Sequence, residues 1–243
     1  MIIASRFASG VGHACMISCS YVFHASMKTL VWNSQKGGSG KTSLCAHVAV
    51  EAERAGNGPI YLIDTDPQGT LSTWHETREA ETPHRVEVSL PGLPAALATL
   101  AQRGATFCLI DTAPTRADEN AELFRMADLV LVPVRPSPSD LWAVSATVKL
   151  LKQIGTPFLF VVNQATLNAN ITAQAIAALS HHGPVAQTII VNRVPYAAAM
   201  TDGHAAGELM PKGPAALEIA ALWKNIKSCL HENMNLSKVQ THA

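Results

Sequence analysis

Lys36-Gly37-Gly38-Ser39-Gly40-Lys41-Thr42 is the stretch that decides how this chain folds. It follows a short apolar run, Thr29–Trp32, and precedes a helical pattern, Ser43–Ala55, with Leu44, Val48 and Ala52 on one face. A strand, a glycine-rich turn and a helix in that order predict a phosphate-binding loop. The glycines let backbone N–H groups turn inward, and the helix adds the positive end of its dipole. Lys41 can reach β- and γ-phosphates, and Thr42 offers a hydroxyl to Mg²⁺. The candidate nucleotide-binding residues are therefore Gly37, Gly38, Ser39, Gly40, Lys41, Thr42 and Ser43.

Working outward, more apolar runs alternate with helical patterns. Ile60–Ile63, Phe107–Ile110, Leu129–Val132, Pro157–Val162 and Thr188–Val191 read as strands, and Arg85–Val88 as a weaker one. They are continuous rather than alternating, as in strands buried on both faces of a parallel sheet. Ala95–Gln102, Asp140–Ile154 and Ile171–Ser180 read as helices between them. Repeated strand–helix units predict an α/β fold, a doubly wound, mostly parallel sheet flanked by helices. Residues 27–232 read as one domain and 233–243 as a flexible tail. Residues 1–26 read as an extension outside the fold, with Met27 the working start. Their single basic residue, apolar stretch and small-residue end also bear a faint likeness to a signal peptide.

The composition narrows the function. With 243 residues, 48% hydrophobic and 15% charged, the chain is not a disordered one. Eighteen basic residues balance eighteen acidic ones, which excludes a globally basic, histone-like protein but not a local basic patch. There is no long uninterrupted apolar run to cross a membrane. The cysteines Cys15, Cys19, Cys45, Cys108 and Cys229 are odd in number and scattered, a poor disulfide framework. Cys45 and Cys108 sit in apolar segments and read as small core residues.

Asp64-Thr65-Asp66-Pro67-Gln68-Gly69 closes the second strand, and Asp111-Thr112-Ala113-Pro114 the third. Asn163 closes the fifth and Pro195 follows the sixth. In open α/β sheets ligands bind beyond the carboxyl ends of the strands, so all of these should meet the phosphate loop on one rim. A strand that ends in Asp111 has the Walker B form, delivering a carboxylate to a Mg²⁺ water shell. Asp118 and Glu119 read as charges at the start of the next helix.

The loop departs from the ordinary Walker A pattern. Position 35, where that pattern has its first glycine, holds Gln35, and a second lysine, Lys36, enters the loop. This K-G-G-x-G-K-T form resembles the deviant Walker A of the ParA/MinD family of ATPases, and the resemblance extends over roughly residues 27–230. It implies an ATP- and Mg²⁺-dependent ATPase whose two copies close as a sandwich around two ATP molecules. Lys36 would then cross to the partner's nucleotide as a trans-acting cation. By the same resemblance Asp66 would position the attacking water, Asp64 would act in the outer shell of the metal, and Asn163 and Pro195 would contact the base. Read alone, Asn163 and Pro195 are equally turn residues.

The segments around Pro136–Trp142 and from Arg193 to Ala216 look like those of short plasmid-type ParA proteins. That likeness implies DNA segregation: an ATP dimer binds DNA without sequence preference, and a ParB-like partner stimulates hydrolysis. Lys212 is the leading candidate for phosphate contact, followed by Arg193, Lys224 and Lys227; each is equally an ordinary surface charge. No helix-turn-helix precedes the sheet, so sequence-specific operator binding is not expected. The alternatives are positioning of a non-DNA cargo, a membrane-cycling MinD-type regulator, or a metabolic enzyme on the same scaffold. The MinD-type reading needs a basic amphipathic anchor, and the apolar stripe of Ala215–Leu230 suits packing on the sheet better. The expected location is cytoplasmic, on the nucleoid when ATP is bound. Lys41→Ala is expected to abolish ATP binding measured by calorimetry; an unchanged affinity would remove the phosphate-loop assignment.

Overall fold

The structure, a computed structural model, describes residues 27–115 and 117–240. The expectations for residues 1–26, Cys15 and Cys19 included, lie outside the described residues. The elements in chain order are β1 (Lys28–Trp32), α1 (Lys41–Arg54), β2 (Ile60–Asp64), α2 (Thr70–Glu76), β3 (His84–Arg85), α3 (Leu93–Gln102), β4 (Phe107–Asp111), α4 (Ala121–Met126), β5 (Leu129–Val134), α5 (Pro138–Ile154), β6 (Phe158–Val162), α6 (Asn170–Ser180), α7 (Val194–Thr201), α8 (Ala206–Leu209) and α9 (Pro214–Gln240). The strands form one sheet in the order β3-β2-β4-β1-β5-β6, and every pair is parallel.

Successive strand side chains point to opposite faces, and here both faces are apolar. Leu30, Trp32, Leu109, Leu129, Leu131, Leu159 and Val161 join one core with α1 and α9. Val31, Cys108, Ile110, Val130, Val132, Phe160 and Val162 join the other, which takes in Leu93, Leu123 and Leu151 from α3, α4 and α5. Cys45 and Cys108 are buried, as expected for core residues, and burial pushes the Cys108 thiol up to about 12.

Register places the functional strand ends level with one another. Trp32 of β1 and Asp64 of β2 both pair with Asp111 of β4, so the phosphate loop and both carboxylates leave the sheet at the same height.

Three expectations change. Thr188–Val191 is not a strand: it meets β6 at one point, where Ile190 N donates to Val162 O at 2.9 Å, and makes an isolated bridge between Val191 and Ala165. The physical reason lies in α9, whose side chains take the amides a ladder would need. Thr188 N donates to Asn225 Oδ1 at 2.9 Å and Val191 N to Glu218 Oε2 at 3.2 Å. The weak strand shortens to His84–Arg85, although Val86 N still donates to Leu62 O. Helix α9 runs on to Gln240, through the segment read as a polar tail. Asp118 and Glu119 lie in a 3₁₀ turn, Ala117–Asn120, that leads into α4.

Helix α9 is anchored by Trp223, which is 1% exposed. Its indole donates to Asn57 Oδ1 at 2.8 Å and its ring meets Phe107 edge-on at 4.9 Å. A second tie joins α2 to α8: Arg78 pairs with Glu208 at 2.9 Å, donates to the carbonyls of Gly203 and Thr82, and stacks on Trp74. Trp223→Ala should cost about 3–5 kcal/mol, read by urea denaturation. A loss below about 1 kcal/mol would mean that α9 is not part of the cooperative core.

Candidate nucleotide-binding site

The phosphate loop turns at Gly38 (φ 71°) and Gly40 (φ 91°), left-handed values that favour glycine. At Gly40 space forbids a side chain as well, since a β-carbon would collide with the Asn163 amide nitrogen. The loop is held from behind: Asn163 Nδ2 donates to Ser39 O at 2.7 Å and Gln164 Nε2 to Gly38 O at 2.8 Å. Gln164 itself sits at φ 52°. The loop then enters α1 at Lys41, which presents a helix N-terminus to the rim.

Lys41 is buried, and burial lowers its pKa against the opposing fields of Asp111 and Asp66. Asp111 is fully buried. Its Oδ2 accepts the Thr42 hydroxyl at 2.5 Å, while Oδ1 is buried with no hydrogen-bond partner among the described residues. Burial raises the Asp111 pKa to about 7, reinforced by Asp64 and Asp66 and opposed by the Thr42 hydrogen bond and Lys41. This centre is short of positive charge. A hydroxyl and an orphaned carboxylate oxygen under a phosphate loop form a hard-oxygen donor set that fits Mg²⁺.

Asp64 has a structural duty. Its Oδ1 accepts Asp66 N at 3.0 Å and its Oδ2 accepts Ser72 N at 2.9 Å, which fixes the turn and the start of α2. Asp66 Oδ1 accepts Gln68 N at 2.9 Å. Thr65 ties the turn to β4 through its amide and hydroxyl, both donating to Asp111 O.

Beside the loop lies a cavity of about 250 Å³, lined by Ser43, Asn163, Gln164, Asn192, Arg193 and Tyr196 among others. Its size and its mix of amide and aromatic groups suit a base and ribose. Asn163 therefore stands both at this cavity and on the loop backbone. Pro195 lines an adjoining apolar cleft with Ala206 and Met210, and that cleft shares Asn192 and Arg193 with this cavity. Arg193 is ion-paired to Glu218 at 2.8 Å, and Glu218 also accepts the Tyr196 hydroxyl at 2.8 Å. Lys227 donates to Asn57 Oδ1 at 3.0 Å. Lys212 and Lys224 are exposed.

Sequence reasoning missed Gln164, Asn192 and Arg135. The first is signalled only by adjacency to Asn163 at a strand end. Asn192 lies just past the segment read as the sixth strand. Arg135 follows β5, and nothing in its local sequence shows that it faces the phosphate loop.

The sheet and the rim together define a P-loop nucleotide-binding protein. Residues 30–205 match the family described as the CobQ/CobB/MinD/ParA nucleotide binding domain, and the chain belongs to that family of ParA/MinD-type ATPases. It is 29% identical over 199 residues to the maintenance of carboxysome distribution protein A of Halothiobacillus neapolitanus, covering 78% of this chain and 91% of that one. The cell division ATPase MinD of Pyrococcus furiosus superposes with a TM-score of 0.67 at 18% identity, covering 83% of this chain and 98% of that one. An ATP complex of a McdA variant from Cyanothece gives a TM-score of 0.61 at 16% identity, covering 85% and 97%.

The raised Asp111 pKa has a consequence for stability. The folded chain binds this proton more tightly than the unfolded chain, so the contribution is fully present below about pH 4 and is lost as pH rises through about 7. Asp111→Asn should therefore flatten that fall and raise the thermal midpoint of the nucleotide-free protein at pH 8. Parallel melting curves for the two proteins from pH 5 to 8 would refute this.

Proposed function

We propose that this chain is an ATP-driven positioning ATPase of the partition type. The reading rests chiefly on one observation: the buried Asp111 oxygen without a partner, beside Thr42 and under the phosphate loop. In this reading Lys41 and the loop N–H groups hold the β- and γ-phosphates. Thr42 and Asp111 would hold a Mg²⁺ that neutralises phosphate charge. Asp66, on a turn fixed by Asp64, aligns the attacking water, and Lys36 reaches the partner's nucleotide in an ATP-closed dimer. Hydrolysis is a timer between two states rather than an end in itself. The ATP dimer binds DNA without sequence preference on the nucleoid, a ParB-like partner triggers hydrolysis, and the dimer lets go.

A second reading, positioning of a non-DNA cargo, draws support from the likeness to the carboxysome distribution protein. A membrane-cycling role draws less, because Leu222, Ile226 and Leu230 of α9 are buried. Among the described residues no helix is long and apolar enough to cross a membrane. With Arg193 and Lys227 engaged inside the chain, Lys212 and Lys224 carry the DNA contact in this proposal. Random-sequence duplex binding, titrated with salt in ATP–Mg²⁺ and in ADP, is expected only with ATP and should weaken as salt rises. Asp66→Ala should dimerise and bind DNA but hydrolyse slowly, and Lys36→Ala should bind nucleotide without closing the dimer. Binding of duplex in neither state by protein that binds ATP would remove the DNA step.

A further inference from the structure

Arg135 leaves the end of β5 and is gripped by a carboxylate that has little other business with solvent. Its Nε and Nη2 donate to Asp140 Oδ1 and Oδ2 at 3.0 and 3.2 Å. The Asp140 side chain is only 3% exposed, and Ser137 and Ser139 also donate to its Oδ2. Burial works against that carboxylate, but the hydrogen bonds from Arg135 and Ser137 outweigh it and hold its pKa below the usual range. The guanidinium is thus fixed in one pose before any ligand arrives.

The third nitrogen is the informative one. Arg135 Nη1 stands 3.6 Å from the point that a β-carbon on Gly38 would occupy, against the phosphate loop. On its other side the same glycine gives its carbonyl to Gln164. Gly38 is therefore the point at which a preset cation meets the loop. A network needed only to cap α5 requires Ser137 and Asp140, and Ser137 does accept the Asp140 amide. It does not require a guanidinium turned toward the loop.

We propose that Arg135 is a positioning cation for the nucleotide within its own chain, distinct from the crossing role of Lys36, and that it selects the triphosphate over the diphosphate. This deepens the nucleotide reading above and rests on it. The argument is electrostatic: ADP lacks the terminal phosphate, so a cation serving that group changes the affinity for ATP and leaves that for ADP nearly alone. A residue that merely shapes the loop would affect both nucleotides alike.

The test is binding of a non-hydrolysable ATP analogue and of ADP, each with Mg²⁺, at protein concentrations where sedimentation shows monomer. Arg135→Gln is expected to weaken the ATP analogue about tenfold and ADP less than about twofold. Arg135→Lys should recover part of the loss, and Asp140→Asn, which loosens the grip, should fall between. Equal losses for both nucleotides, or no loss for either, would overturn the proposal while leaving the nucleotide site standing. Failure of the parent chain to bind either nucleotide would overturn both.

Discussion

The carboxylate of Asp111 is buried with one oxygen on the Thr42 hydroxyl and the other on no group among the described residues, and the rim is organised around that deficit. Burying an anion without compensation is costly, and Lys41 nearby is itself desolvated. Two buried groups of opposite sign, both desolvated and the carboxylate short of a hydrogen bond, are a centre stabilised by what binds to it. The sheet makes this possible because the paired ends of β1, β2 and β4 deliver loop, turn and carboxylate at one level.

The loop and the turn beside that centre are held by hydrogen bonds between backbone and side chains. Asn163 and Gln164 hold the loop from β6, Asp64 holds the turn that carries Asp66, and Thr65 couples that turn to the Asp111 carbonyl. Such anchoring keeps the N–H groups aimed without a ligand present, which is the preorganisation that phosphate chemistry rewards.

The sheet, the loop and the Asp111 strand were legible in the sequence because each carries a short-range signal: an uninterrupted apolar run, or glycines and a lysine at fixed spacing. Thr188–Val191 looked the same locally and is not a strand. Its fate is decided by Asn225 and Glu218, which lie far along the chain on α9 and compete for its amides. Arg135 and Gln164 were missed for the same reason, since their roles depend on partners brought by topology rather than by neighbours in sequence. Pro195 was placed through resemblance to a family position, and here it lines a cleft that adjoins the cavity through Asn192 and Arg193.

Glu218 has a wider consequence. This one side chain on α9 accepts the Val191 amide and the Tyr196 hydroxyl and pairs with Arg193, three residues along the wall of the cavity beside the loop. The phosphate end of the site is built by the sheet, whereas the wall opposite, from the 190–193 segment and α7, is braced by the last helix. Two such halves can drift independently under mutation. A lineage can alter how firmly that wall is held by editing α9 alone, without touching the strand ends that carry the phosphate loop.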